Sequence, residues 1–404
     1  LVPVPAGGVR RDAPPEKGAP RRVLHIMVVL ADANIPYAEE AFSTLGAVRT
    51  RPGRAITPEA LRDVDLLIVR SITTVDARLL GGTSVRFVGT CTIGEDHIDK
   101  AYLASRGIGF ASAPGCNANS VAEYIVAALL ALADRHSFAL EGKSLGIVGV
   151  GNVGGRVLLK AEPLGLRCVL NDPPLLEQSG NPKYRPIEEI LDCDIVTLHV
   201  PLEKGGAHPT WHLADERFLR RMKPGAHFLN TARGAVCDNR ALKAALEGGH
   251  LRGAVLDVWE GEPAVDVELL EMVDIATPHI AGYSFDGKVN GTLQVYEAAC
   301  RCLGLQPAWE PAPLLPEPDV PELTVYSDEP DALPRAVRAV YDVMRDDAAM
   351  RDMLALPAEA QPAHFDRLRK EYPRRREFQN TRVAVTPPDE GLEGKLQRIG
   401  FHAP

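Results

Sequence analysis

Short apolar runs, each closed by a polar or glycine residue, recur along most of the chain. VLHIMVVLAD, DVDLLIVRS, VRFVGT and GIGFAS have strand length, and NIPYAEEAFSTLG, VDARLL and HIDKAYLASRG between them carry apolar residues at helical spacing. Residues 117–140 are rich in Ala and Leu, contain no proline, and predict one long helix. A second series follows: KSLGIVGVG as strand and turn, NVGGRVLLK as helix, LRCVLND as strand, then DIVTLHVP, AHFLNTARG, RGAVLDVWE and VDIATPHIAG. Strands alternating with helices predict an α/β fold of parallel sheets with helices on their faces. The carboxyl ends of such strands line the ligand crevice.

The alternation stops near residue 307. QPAWEPAPLLPEPDVPE reads as a proline-rich linker. Beyond it, helices are expected over 332–344, 365–371 and 392–399, with LTVYS and TRVAVTP as strands, which together suggest a small separate α+β domain. At the other end, LVPVPAGGVRRDAPPEKGAPRR is rich in Pro, Gly and Arg and lacks the apolar core of a secretory signal. Residues 1–26 therefore read as a disordered leader before a start near Met27.

Composition narrows the function. A length of 404 residues implies two or three domains. The net charge of −9 comes with no basic stripe of the kind nucleic acid needs, and no apolar run reaches membrane-spanning length. The seven cysteines are scattered and form no CxxC array, so neither a disulfide framework nor a metal site is expected, and the compartment reads as reducing cytoplasm.

The strand LGIVG runs into GVGNVG, which carries Gly149, Gly151, Asn152, Val153 and Gly154, and a helical run follows. That context makes the motif a dinucleotide turn. The first glycine permits the tight turn, the second lets backbone approach a pyrophosphate, and the third lets helix and strand pack closely. Asp172 closes the next strand, where a carboxylate accepts both ribose hydroxyls and repels a 2′-phosphate, which favours NAD over NADP. The bland alternative is a plain strand–helix turn with Asp172 as a cap.

Three later strand ends each carry one reactive side chain: Arg233 in NTARG, Glu262 in DVWEGEP and His279 in TPHIAG. Oxidising a 2-hydroxy acid needs a cation for the carboxylate, a base for the hydroxyl proton and a path for hydride. An arginine fork grips a carboxylate, a histidine accepts the proton, and an acid beside it favours the imidazolium that forms. His97, His199 and His227 compete with His279 for the basic role. In the first domain the hydroxyls of Ser71, Thr90 and Thr92, with amides near Gly94, are an anion-binding candidate. Arg70, Lys288 and the run Arg374, Arg375, Arg376 are candidates for a phosphate.

Together GVGNVG, NTARG, DVWEGEP and TPHIAG identify the chain as similar to the D-isomer-specific 2-hydroxyacid dehydrogenases. That resemblance runs from about residue 27 to the end, with Glu95 departing from the usual small or hydroxyl residue. It implies a Rossmann-type NAD domain (117–282) inserted in a flavodoxin-like substrate domain (27–116 and 283–306), followed by a C-terminal α+β dimerisation domain (307–404). It implies Arg233, Glu262 and His279 as catalytic, and Ser71, Thr92 and Tyr283 as substrate-binding. Asp172, Val200, Thr231, Ala232, Asp257 and Gly282 join the glycine turn as NAD-binding positions. The implied ligand is a small phosphorylated hydroxy acid, and the implied assembly a homodimer. A family member with another substrate, and an inactive NAD sensor, remain as alternatives.

Overall fold

A computed structural model describes residues 27–404, so the expected leader over 1–26 lies outside the described residues. The first apolar series builds β1 (Val28–Asp32), β2 (Ala47–Arg51), β3 (Leu66–Val69), β4 (Phe87–Thr90) and β5 (Gly109–Ala111) into one parallel sheet. Its order, β2-β1-β3-β4-β5, is that of a flavodoxin-like sheet. Every residue of β3 and β4 is buried, as expected of central strands covered on both faces. β2 is not foreshadowed by the apolar pattern. Its AVRTR has no buried residue, because it lies at the edge, and backbone pairing with β1 alone makes it a strand.

The second series builds β6 (Ser144–Val148), β7 (Arg167–Asn171), β8 (Ile195–Leu198), β9 (His227–Asn230), β10 (Gly253–Leu256) and β11 (Ile275–Ala276). The order β11-β10-β9-β8-β6-β7 is parallel throughout, and the chain reverses direction across the sheet at β6. That reversal is the topological switch point at which a dinucleotide fold binds its ligand. The expected long helix spans Ala118–Arg135. It stops short of residue 140 because Ser137 takes a positive φ of 52°, which a helix cannot continue through. The helix Phe285–Leu303 returns the chain to the first sheet, where Val295 and Tyr296 join the core that holds Val29 and Ile68.

The tail is less separate than its linker suggests. β12 (Glu322–Tyr326) and β13 (Arg382–Thr386) pair in parallel as a two-stranded sheet. Yet Val337, Tyr341, Phe378 and Leu396 belong to the same core cluster as Tyr124 and Ile147 of the nucleotide-binding part. Met350, Met353 and Phe365 join the cluster of Phe228 and Trp259 on the other side. The helix expected over 332–344 is two, Ala332–Val340 and Val343–Arg351, because the Asp342 side chain caps the Met344 amide and starts a new helix.

Candidate active site

Past the end of β6, Gly149 has a positive φ of 85°. A Cβ there would lie 2.8 Å from the His199 carbonyl oxygen and from Val200 Cγ1, so Val200 borders the turn. A Cβ on Gly154 would fall on the carbonyl oxygen of Gly149, whereas one on Gly151 would meet nothing within 4 Å. The outer two glycines thus serve packing, and the middle one leaves an open face. The helix Asn152–Ala161 begins there with no side chain capping its first amides, which leaves donors and the positive dipole end for an anion. Asn152 packs against Gly115 and Val153 is half-buried in the first turn. Asp172 accepts from the Val150 amide at 2.8 Å and from Leu175 at 3.0 Å, so it ties the glycine turn to the end of β7 and caps the next helix. Open glycine, uncapped amides and adjoining carboxylate fit a dinucleotide. Gly154→Ala should weaken NAD binding by at least about tenfold, roughly 1.4 kcal/mol, in a fluorescence titration. Wild-type affinity would contradict the packing argument.

Arg233, Glu262 and His279 come from the ends of β9, β10 and β11. Asn230 sets the first turn, donating to the Arg233 carbonyl and accepting from the Ala232 amide, each at 3.0 Å. Gly234 presses on the Trp259 carbonyl so closely that no Cβ could fit, which locks the Arg233 turn to the loop bearing Glu262. The Arg233 guanidinium reaches across to the first-sheet loop, 3.9 Å from Asp96 and against Gly94. Glu262 Oε1 lies 2.5 Å from His279 Nδ1, and its Oε2 accepts from the Trp259 amide at 3.2 Å. Burial opposes ionisation of Glu262, but the bonds and charge from His279 outweigh it and hold the carboxyl below its ordinary range. With Nδ1–H donated to Glu262, the free lone pair of a neutral ring is on Nε2.

A buried network aims that ring. His279 takes a positive φ of 59°, an uncommon conformation for a residue with a side chain. Its amide donates to the Asp257 carbonyl at 2.7 Å. The Asp257 carboxylate accepts from Thr277 Oγ1 and the Ile280 amide, both at 2.7 Å, and from Ala281 at 3.0 Å. Burial raises its pKa against those bonds. Asp257 therefore anchors the His279 turn. Gly282 follows against Asn117, where a Cβ would overlap the Asn117 amide. Thr231 lies 3.3 Å from His199 Nδ1, and Ala232 is buried. Asn230 and Thr277 escaped the sequence reading, since neither has a reactive group and their role lies in the bonds they make.

Of the candidate anion loop, Ser71 is exposed, and Thr92 bonds Thr90 at 2.8 Å and the Gly94 carbonyl at 3.2 Å. Glu95, the departure from the family pattern, is turned to Ser112 at 2.6 Å and to Lys100 at 2.7 Å. Tyr283 is half-buried, its ring edge-on to Tyr372 at 5.8 Å.

The arginine run corrects the phosphate expectation. Arg375 is buried on Glu123 at 3.0 Å, and Arg376 grips Asp286 with two bonds of 2.9 and 3.0 Å. Both are committed to holding the tail, and Arg374 is exposed. The other candidate bases lie elsewhere. Burial pushes His199 down to about 3 and His227 down to about 4. It also lowers His97, whose ring bonds Thr90 at 3.0 Å. Although no metal cluster was expected, His136, His227 and Asp274 do meet at the opposite ends of β9 and β11. There Arg252 donates to His136 Nδ1 and Arg135 pairs with Asp274, so the group reads as an ion-pair cluster.

Residues 126–281 match the model of the D-isomer specific 2-hydroxyacid dehydrogenase NAD binding domain, and residues 314–400 match a domain of unknown function (DUF3410). The erythronate-4-phosphate dehydrogenase of Cronobacter sakazakii is 49% identical over 93% of this chain and 98% of its own length. That of Salmonella typhimurium is 47% identical over the same shares. Among solved structures, D-lactate dehydrogenase of Aquifex aeolicus, complexed with NAD and lactic acid, matches 69% of this chain and 96% of its own with a TM-score of 0.56 at 26% identity. A glyoxylate reductase from Paecilomyes thermophila matches 67% of this chain and 94% of its own, with a TM-score of 0.56 at 26% identity. Glycine turn, strand-end triad and full-length similarity agree: the chain belongs to the erythronate-4-phosphate dehydrogenase family of NAD-dependent D-isomer-specific 2-hydroxyacid dehydrogenases.

Proposed function

We propose that this protein oxidises the 2-hydroxyl of 4-phospho-D-erythronate, giving 3-hydroxy-2-oxo-4-phosphobutanoate, a step that in this family serves pyridoxal 5′-phosphate synthesis. The observation that carries the reading is the Glu262–His279 pair at 2.5 Å, set beside Arg233 at neighbouring strand ends. Arg233 holds the substrate carboxylate with its planar fork and polarises the C2 oxygen. His279 Nε2 accepts the hydroxyl proton as the C2–H bond breaks, and Glu262 stabilises the resulting imidazolium. NAD, when bound, takes the hydride. The glycine turn with Asn152, Val153 and Asp172 holds the dinucleotide. Val200, Thr231, Ala232 and Gly282 border it, and Asp257 acts by fixing the His279 turn. Ser71, Thr92 and Tyr283 face the substrate.

In this reading residues 27–116 with 283–306 form the substrate domain, 117–282 the cofactor domain and 307–404 a dimerisation domain. Tyr326 and Leu354, exposed in the tail, support a homodimer through it, testable by sedimentation. The described cysteines are all free, as in a reducing cytoplasm. No helix among the described residues is long and apolar enough to cross a membrane.

NADH formation with a substrate panel tests the activity. Erythronate 4-phosphate should exceed 3-phosphoglycerate in kcat/KM by about a hundredfold, within the range a single missing group commands. Equal or reversed values would place the chain with another member of the family. No turnover on either, with NAD bound, would favour the sensor reading.

A further inference from the structure

The tail also sends one arginine toward the active site. Arg369 stands on the helix Gln361–Lys370, four residues after the buried Phe365 and therefore on the same inward face. Its Cζ lies 5.9 Å from the Phe365 ring and 5.9 Å from the Tyr283 ring. Its Nε is buried and has no hydrogen-bond partner among the described residues. Burial works against the charge, while Tyr283 and Glu262 favour it and keep the guanidinium protonated.

A second cation stands at the same ring, and a third lies close enough to that second one to act on its charge. Lys288, on the helix Phe285–Leu303, has Nζ 4.7 Å from the Tyr283 centroid. Burial, and then the charge of Arg70, push it down to about 8. Arg70 follows the end of β3 and is half-buried. No described carboxylate lies within ion-pair distance of Arg70, Lys288 or Arg369, whereas Arg375 and Arg376 beside them are fully paired. Arg70 and Lys288 repel one another, and Arg369 gains only the more distant charge of Glu262 and its contact with Tyr283, so part-buried cations without an ion-pair partner are favoured by an anion bound among them. Arg233 is separate from this group, at the end of β9, and is already assigned to the carboxylate.

We infer that Arg369, together with Lys288 and Arg70, binds the phosphate of the substrate around Tyr283, so that a residue of the C-terminal tail sets the preference for a phosphorylated hydroxy acid within its own chain. Arginine suits that task because its fork offers parallel donors to phosphate oxygens, and lysine adds a point charge. The inference rests on the activity proposed above and names the part of the site that distinguishes this substrate from an unphosphorylated 2-hydroxy acid.

The test uses the full chain loaded with NAD. Inorganic phosphate is titrated calorimetrically into wild type, Arg369→Met, Arg369→Lys and Lys288→Met, with the exposed Arg374→Met as control. Arg369→Met and Lys288→Met should each weaken phosphate binding by about tenfold to a hundredfold, as expected for one charge-assisted contact. Arg369→Lys should recover part of the loss, and Arg374→Met none should be lost. KM for erythronate 4-phosphate should rise in parallel with kcat changed less than about threefold, the signature of lost ground-state binding. Unchanged phosphate affinity in both methionine variants overturns the inference, as does a fall in kcat at constant KM, which would make Arg369 a support for Glu262. If one variant fails to fold, the other decides. Wild type that binds phosphate but does not oxidise erythronate 4-phosphate refutes the proposed activity and leaves the anion site standing.

Discussion

His279→Ala lowers kcat for erythronate 4-phosphate by about 10²- to 10⁴-fold, the contribution of a positioned general base, while NAD affinity stays within about twofold because the glycine turn is untouched. The imidazole is singular in this site. It is aimed by an Asp257-anchored turn and paired with Glu262 at 2.5 Å, and His97, His199 and His227 are engaged elsewhere. Glu262→Gln should also reduce kcat, because a neutral amide no longer stabilises the imidazolium formed in the reaction, and should remove the loss of that stabilisation at low pH. The carboxyl of Glu262 is held below its ordinary range, so its contribution is complete above that range and is lost only as pH falls through the lowered value. Steady-state NADH formation across pH reads both effects. Full turnover by His279→Ala would remove the assigned mechanism.

Arg376→Met should destabilise the protein by about 3–5 kcal/mol, the usual consequence of stranding one partner of a buried ion pair. The guanidinium makes two bonds to Asp286 and one to Asn380 at 2.7 Å, and also reaches the Pro316 carbonyl. Asp286 lies in the first turn of the helix that follows Tyr283, and the Phe285 amide donates to the Arg375 carbonyl at 2.7 Å. The pair thus clamps the tail to the segment leaving the active site. Urea denaturation checks the size, and a cycle with Asp286→Leu separates the pair from its surroundings. The double variant should recover much of the single loss, since two apolar groups leave no stranded charge. A loss below about 0.5 kcal/mol, the scale of a neutral surface change, would show that the clamp contributes little.

The two parallel sheets, the glycine turn and the three strand-end residues were all legible in the chain. Buried strands of a parallel sheet are continuous apolar runs, and β3, β4, β6 and β8 announce themselves in that way. Glycine at positions 149, 151 and 154 is equally readable, because the motif is local: Gly149 takes a positive φ, Gly154 sits against the Gly149 carbonyl, and Gly151 leaves an open face. β2 was not legible, since an exposed edge strand is defined by its neighbour's hydrogen bonds and carries no apolar signature. The break after Val340 was a matter of one capping side chain inside an otherwise helical pattern.

Long-range electrostatics was decided by the tertiary structure alone. Arg369, Arg374, Arg375 and Arg376 are the same residue type within one short segment. One lies beside the Tyr283 ring with no carboxylate in ion-pair distance among the described residues, one is exposed, and two are buried against Glu123 and Asp286 from distant helices. Sequence supplies the charge and, through the four-residue step from Phe365, a hint of which way Arg369 points. The partner that neutralises a charge, or leaves it free for a ligand, is fixed only when elements far apart in the chain pack together. The sequence by itself thus determined the dehydrogenase fold and the three strand-end residues proposed to react, and the packing of the tail decided which cations are left without a carboxylate partner.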